Sequence, residues 1–567
     1  MKKFKNRLIK LLAIALSALM LFGATACKKE PVEIGDGGSK DIKVKIVVAG
    51  YDTDWLHAIA NKFNEVYASE GYKVTITLED TVLNAPNEVK TPKRCDTDIF
   101  FEYDNIQDLI PQSYSILRQK GVAVLEDLTD VWNSPAIGVD KKPVGDKLID
   151  RIAPSGEISG YKYNGTMSGY DGIYGIPYQG GNNGIYYNPS VLEQFGYDAN
   201  DLLTTDDFLA VIEDIAPEPT RENVSNPNLI FPVAWSFTKT GGYHEYALKD
   251  WIAQYEGAES FKNFLQFIPD EGTIIENGYK VYEKKGIYEA VKVMYQYLNR
   301  DYSNPRISEY DHVQAEALVA TGKSAFMVTG DYMYKELEKN YSEYMGNVLA
   351  LRTPVISALG IKLNLCGAAS HEEDASCANC NEKLRNIVLA VDENTLTDDQ
   401  IATAQGVTAE KVATIREARG YYVGGADGSA VQAFIPSYAD AKIGAKLFLR
   451  FMFNNECMKL YRDATYVDMP ATWITKPADD DREFVQSMAD KALAPNAMRL
   501  PSTYYTSKLR QNTPIFPREV TVPAVYQSLS YSHTFGRPSL TPKQLFEGNI
   551  EWVKISWPDY LQAANLT

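Results

Sequence analysis

Residues 172–196 read GIYGIPYQGGNNGIYYNPSVLEQFG, and their reading decides the fold. A glycine-broken apolar approach ends at Ile176-Pro177. A polar loop over 178–184 follows, then a short strand, Ile185-Tyr186-Tyr187. Asn188 is placed to cap a helix with Pro189 at its first position, where the missing N–H costs nothing, and Gly196 ends that helix. The stretch marks a sharp change in the character of the chain.

Upstream, IKVKIVVA (42–49) predicts a strand, and 50–53 a turn. Asp54 can cap a helix whose Leu56, Ile59, Ala60 and Phe63 share one face. YKVTITL (72–78) alternates as a second strand, and TDIFF (97–101) is a third, running into Glu102-Tyr103-Asp104. Strand–helix–strand order argues for α/β architecture, in which ligands bind beyond the carboxyl ends of the strands. Tyr51, Asp52, Glu102, Tyr103 and Asp104 sit at such ends.

Downstream, 200–345 carries several helices, among them 288–298 with Val291, Met294, Tyr295 and Leu298 on one face. LVATGKSAFMVT (318–329) reads as a helix end, a turn and a strand, and 381–419 as a surface helical excursion. VQAFI (431–435) is a strand, followed by a helix striped by Ile443, Leu447, Phe448 and Phe451. Thr541-Pro542-Lys543-Gln544 forms a capping box for a last helix, expected to stop before Pro558.

The 567 residues, 45% hydrophobic and 23% charged, suit two or three globular domains. The formal charge of −17 opposes nucleic acid and anionic lipid as partners. The 37 tyrosines and 7 tryptophans suit neutral polar ligands, offering flat apolar faces beside hydroxyl and N–H groups.

The chain opens MKKFKNRLIK LLAIALSALM LFGATACKKE. A cationic start, an apolar run from Leu11 to Phe22 and small residues before Cys27 form a secretory signal. Its cysteine placement resembles a bacterial lipoprotein signal, although that family favours Leu where Ala24 stands. The resemblance implies a signal peptide over 1–26 and a diacylglycerol on Cys27, with palmitate among its acyl chains. The protein would then be anchored at the extracellular face of the cell membrane. Removing the five basic residues of 1–26 takes the charge near −22. KKEPVEIGDGGSK (28–40) reads as a flexible tether.

With the order of segments on the page, the chain resembles the extracellular solute-binding proteins that feed sugar importers, the family that includes maltose-binding protein. Three stretches carry the resemblance: 172–196; TGKSAFMVTGDYM at 321–333; and FIPSYADAKIGAKLFLRFMFNNECMKLYRDATYVDMPA at 434–471. It implies an α/β, two-lobed periplasmic-binding-protein-like fold with a hinge and an interlobe cleft. The first lobe would take 41–177 and 426–480, and the second 178–425 and 481–567, with 354–425 containing an insertion. It implies no enzyme activity and a monomer. The receptor would hand an oligosaccharide to importer transmembrane subunits.

Matched position by position, the ligand-binding candidates in the first lobe are Tyr51, Asp52, Asp54, Trp55, Glu102, Tyr103 and Asp104. Those in the second are Gln179, Asn182, Asn183, Trp235, Tyr243, Asp331 and Tyr332. Rings pack on the C–H faces of sugars, while carboxylates and amides pair with hydroxyls. Trp55 equally suits a core position, and Asp54 a helix cap.

G-x-S-x-G, G-x-G-x-x-G and H-E-x-x-H are absent from the sequence. One cluster carries other chemistry: Cys366, His371, Cys377 and Cys380 fall within fifteen positions. Three thiols and an imidazole suit a tetrahedral zinc; a disulfide with one free thiol, or solvated thiols, suit the same residues. No other cofactor is expected. The rival readings are a surface-tethered carbohydrate-active enzyme, a cell-wall interaction protein, or a receptor for a peptide or polyamine.

Overall fold

The computed structural model describes residues 37–47, 53–79, 85–102, 106–153, 158–163, 165, 167–217, 226, 228–236, 243–298, 302–372, 374–424, 431–475, 477, 482–500, 509, 541–564 and 566. The signal segment with Cys27, and the candidates Tyr51, Asp52, Tyr103 and Asp104, lie outside them.

The early chain supplies β1 (Asp41–Val47), β2 (Lys73–Glu79) and β3 (Ile99–Glu102). The helix Asp54–Tyr67 lies between the first two. A hairpin of β4 (Pro135–Ile137) and β5 (Pro143–Lys147) and the short β6 (Ile176–Pro177) follow. The chain then builds β7 (Asn183–Tyr187), β8 (Phe231–Ala234), β9 (Ser324–Gly330), β10 (Leu349–Ala350) and β11 (Tyr421–Val423). It returns with β12 (Gln432–Phe434) and ends with β13 (Met498–Leu500) and the helix Pro542–Ala563.

Two sheets organise most of these strands, and β4-β5 and β11-β13 form separate pairs. The first runs β2-β1-β3-β12-β6, with β1, β2 and β3 parallel and β12 antiparallel to both neighbours. The second runs β10-β7-β9-β8. The late strand β12 sits between β3 and β6, so chain on both sides of the second sheet's elements builds the first sheet. Beyond β12 the chain leaves again, and β13 pairs in parallel with β11. Each sheet has its own apolar core: Trp55, Phe63, Phe101, Phe448 and Phe451 in one, Trp251, Phe264, Tyr297 and Phe326 in the other. The result is a helix-rich α/β molecule of two lobes, and the segments joining the sheets cross between them.

The deciding stretch folds largely as read. Asn188 Oδ1 accepts the Val191 N–H at 3.1 Å, Pro189 begins the helix, and Gly196 turns the chain at φ 83°. The strand starts two residues early, taking in Asn183 and Gly184, because Asn183 pairs with Gly330 of β9.

Several expectations are corrected by packing. Thr53 occupies the cap position of the Asp54–Tyr67 helix, and Asp54 is its first residue, exposed in the first turn where its charge suits the helix dipole. Ile443 points to solvent, while Ala445, Phe448, Leu449 and Met452 carry the buried face. The helices Ala378–Glu393, Asp398–Gln405 and Ala409–Gly420 are no surface excursion. Leu384, Ile387, Val388, Val412 and Ile415 are fully buried in the second core.

The last helix runs through Pro558 to Ala563. Interior proline costs about 3 kcal/mol. Trp557, buried on Phe267 with its N–H on the Ile275 carbonyl at 3.0 Å, and buried Leu561 offset it. The end of the expected tether is pinned to the first lobe. The Gly37 carbonyl accepts from Ile443 N–H at 3.1 Å, and Ser39 N–H donates to the Asp440 carbonyl at 2.9 Å.

Candidate functional site

A cavity of about 420 Å³ opens between the two lobes, within the range of about 300–1,000 Å³ common for small-molecule sites. The first lobe contributes Arg151 and the segment 468–473 beyond the helix Asn455–Thr465. The crossing contributes Gly181 and Asn182. Tyr421 and Tyr422 of β11, and Met498 and Arg499 of β13, line the second-lobe side.

Arg151 fixes the first-lobe wall. Its guanidinium donates to the Thr472 carbonyl from Nε at 2.9 Å and Nη2 at 2.7 Å, and to the Phe453 carbonyl from Nη1 at 2.9 Å. Burial pulls its pKa down to about 10, with Asp146 opposing. Next to Thr472, Trp473 is half-buried with the Arg462 guanidinium 4.9 Å from its ring centroid. Among the described residues its indole N–H finds no acceptor.

The crossing is pressed against this wall. A Cβ on Gly180 would stand 2.2 Å from the Asp468 carbonyl oxygen, so only glycine permits that approach.

A buried polar network backs the crossing. Asp331 Oδ2 accepts the Asn182 N–H at 2.7 Å, and the Asn182 carbonyl accepts from Tyr186 Oη at 2.5 Å. Lys491 Nζ donates to the Asn183 carbonyl at 2.9 Å. Asp250 accepts the Val423 N–H at 2.7 Å and Thr353 Oγ1 at 2.5 Å, which anchors β11.

Burial raises Asp331 to about 7. The Asn182 hydrogen bond, Arg499 and Lys491 oppose that rise, and Asp468 adds to it. Burial likewise raises Asp250 to about 6, with Lys491 opposing. A carboxyl whose folded pKa lies above its unfolded value stabilises the fold below the unfolded pKa and loses that contribution as pH rises through the folded one. Melting temperature is therefore expected to fall between pH 5 and 7.5. Asp331→Asn should flatten that slope in scanning calorimetry; an unchanged slope would refute the assignment.

Of the residues expected to meet a ligand, Asn182 lines the cavity. Asp331 touches it through the Asn182 backbone, and Asn183 lies behind it in β7. Gln179 is half-buried beside Tyr178 in the crossing. Trp55 is in the first core, stacked on Tyr178 at 5.8 Å and edge-on to Tyr461 at 4.9 Å. Glu102 is buried in β3 opposite Gln432. Trp235 is buried in the second core with its N–H on Ser303 Oγ at 2.7 Å. Tyr243 and Tyr332 join a ring cluster with Tyr246 and His312, their own centroids 5.7 Å apart.

The wall residues Arg151, Tyr421, Tyr422, Asp468, Trp473 and Arg499 escaped sequence reasoning. The signal available was a run of aromatic and charged residues, YVDMPATW at 466–473, after a striped helix.

The model of bacterial extracellular solute-binding proteins matches residues 59–370. The chain belongs to this family. It is one of binding receptors, not of enzymes, and it acts outside the cytoplasm. Among the described residues of this solute-binding protein, no helix is long and apolar enough to cross a membrane.

Its fold is similar to that of a probable secreted solute-binding lipoprotein from Streptomyces coelicolor, with 13% identity, a TM-score of 0.52, and 92% of this chain and 100% of that one covered. It is similar to the bacterial solute receptor AcbH, with 11% identity, a TM-score of 0.51, and coverage of 92% and 99%. RafE from Streptococcus pneumoniae follows at 13% identity and a TM-score of 0.50, with coverage of 92% and 98%. No curated protein matches the sequence of this solute-binding protein.

Proposed function

We propose that this solute-binding protein is the sugar receptor of an ABC-type importer, closing its two lobes over an oligosaccharide and delivering it to the transmembrane subunits. One observation carries the reading: the interlobe cavity joins aromatic faces, at Trp473, Tyr421 and Tyr422, to fixed charges and amides, at Asp468, Arg499 and Asn182. That mixture suits a neutral polyhydroxylated ligand, whose C–H faces stack while its hydroxyls both donate and accept. The similar receptor AcbH prefers β-D-galactopyranose.

Closure of two lobes buries such a ligand and strips its water. Release to a transporter calls for dissociation constants between nanomolar and micromolar, about −12 to −8 kcal/mol. The N-terminal sequence supports a lipid on Cys27, with the monomer held beside its importer at high effective concentration.

A panel of mono- and oligosaccharides, with peptides and polyamines alongside, tests the reading by thermal shift, because a ligand of the folded state raises the melting temperature by mass action. A sugar that raises it and is recovered intact is the expected result. Response to peptides or polyamines alone, or turnover of the sugar, would overturn the reading.

A further inference from the structure

We propose that Cys366, His371, Cys377 and Cys380 hold one zinc ion that clamps the loop between the helices Ala358–Lys362 and Ala378–Glu393 onto the second lobe. The four ligand atoms lie within 4.8 Å of one another. Cys366 Sγ stands 3.8 Å from Cys377 Sγ. His371 Nε2 stands 3.7 Å from Cys366 Sγ and 3.7 Å from Cys380 Sγ.

These separations discriminate between the chemistries open to the cluster. A disulfide needs about 2.05 Å between sulfurs, and these thiols are free. A tetrahedral zinc with bonds of about 2.3 Å to sulfur and 2.0–2.1 Å to nitrogen has edges of about 3.8 Å between sulfurs and about 3.6 Å between sulfur and nitrogen. The three separations match those edges, and all four donors lie within 4.8 Å of one another.

Local structure brings the donors together. Cys377 is the N-cap residue of the Ala378–Glu393 helix and Cys380, fully buried, is in its first turn. The two-residue spacing directs both sulfurs to one point, as in structural zinc sites. Cys366 and His371 come from the preceding loop.

Asn364 Oδ1 lies 3.1 Å from His371 Nε2, and the donor in this contact depends on the ring tautomer. In the zinc-bound state the neutral ring carries its proton on Nδ1, and the thiols release theirs to solvent. Three thiolates and one imidazole around a divalent ion leave a net charge of −1. Lys411, donating to the Asn364 carbonyl at 3.2 Å, brings a cation to the same loop.

The site is separate from the cavity, which none of the four residues lines. The loop it would hold is otherwise fastened by side chains such as Asp374, which accepts from Tyr288 Oη at 3.0 Å.

The test is metal analysis of the purified full chain. One zinc per chain is expected, and cobalt exchange should give the visible bands of a tetrahedral thiolate site. Chelation should lower the melting temperature by several degrees, reversibly on adding zinc. Cys366→Ser and His371→Ala, both at half-buried positions, should each lose the equivalent of zinc. Substoichiometric zinc in folded protein, full retention by both variants, or a Cys366–Cys377 disulfide in unreduced peptide maps would each overturn the proposal.

Discussion

Trp473→Ala is expected to weaken binding of the cognate sugar by roughly 30- to 1,000-fold, about 2–4 kcal/mol, the range of a buried aromatic anchor. The argument rests on what the indole offers. Its ring is half-buried in the cavity wall, with the Arg462 guanidinium at 4.9 Å restricting its motion, and its N–H lacks an acceptor among the described residues. A buried donor left unmet costs about 1–3 kcal/mol, and a ligand hydroxyl would recover it. Trp473→Phe keeps a ring and removes the donor, so its affinity should fall between the two. Calorimetric titration measures both variants, and a single cooperative melt of Trp473→Ala separates lost contact from lost fold. Unchanged affinity in Trp473→Ala would remove this wall from the binding site.

The second large effect is on stability. Arg151→Ala should cost roughly 3–5 kcal/mol, because two carbonyls, part-buried Thr472 and buried Phe453, lose charge-assisted donors worth about 1.5–3 kcal/mol each. The loss falls on the segment that carries Trp473, so affinity should fall as well. Arg151→Lys retains the charge but not the fork that bonds Thr472 twice, and should recover only part of the stability. Urea unfolding followed by tryptophan fluorescence gives the difference; a midpoint within error of the parent would contradict the role assigned to Arg151. Sugar added in excess should restore part of the lost midpoint, since it binds only the folded state.

Local rules read some elements correctly for reasons visible in the fold. Asn188 and Thr541 each satisfy N–H groups within three residues, so neither cap depends on distant chain. Where the deciding partner was distant, local reading failed. Ile443 completes an apolar stripe on paper but lies on the solvent side of its helix, whose buried face is set by the first lobe's sheet. Pro558 is a local stop signal overridden by Leu561, which gains burial only if the helix continues. Buried Arg419 is a comparable case: in isolation it is a surface charge, but Asp392 and the Thr353 carbonyl meet it inside the second lobe.

The site divides in the same way. Asn182 lies in the stretch where chain passes between the lobes, and its place follows from the glycine-rich crossing itself. Trp473, Tyr422 and Arg499 come from three separate parts of the chain, with no shared motif to join them. They meet because β11 and β13 pair in parallel and because Arg151 holds the Thr472 carbonyl.

By itself the sequence determined the α/β class, the crossing at 172–196 and a zinc-compatible set of four donors. These rest on periodicity, capping and spacing over a few residues. Only the tertiary structure decided which aromatic rings are core and which line the cavity, and that Cys366 and Cys377 Sγ stand 3.8 Å apart, too far for a disulfide. Those outcomes depend on how two sheets built from interleaved stretches of chain pack, and no short stretch carries that information.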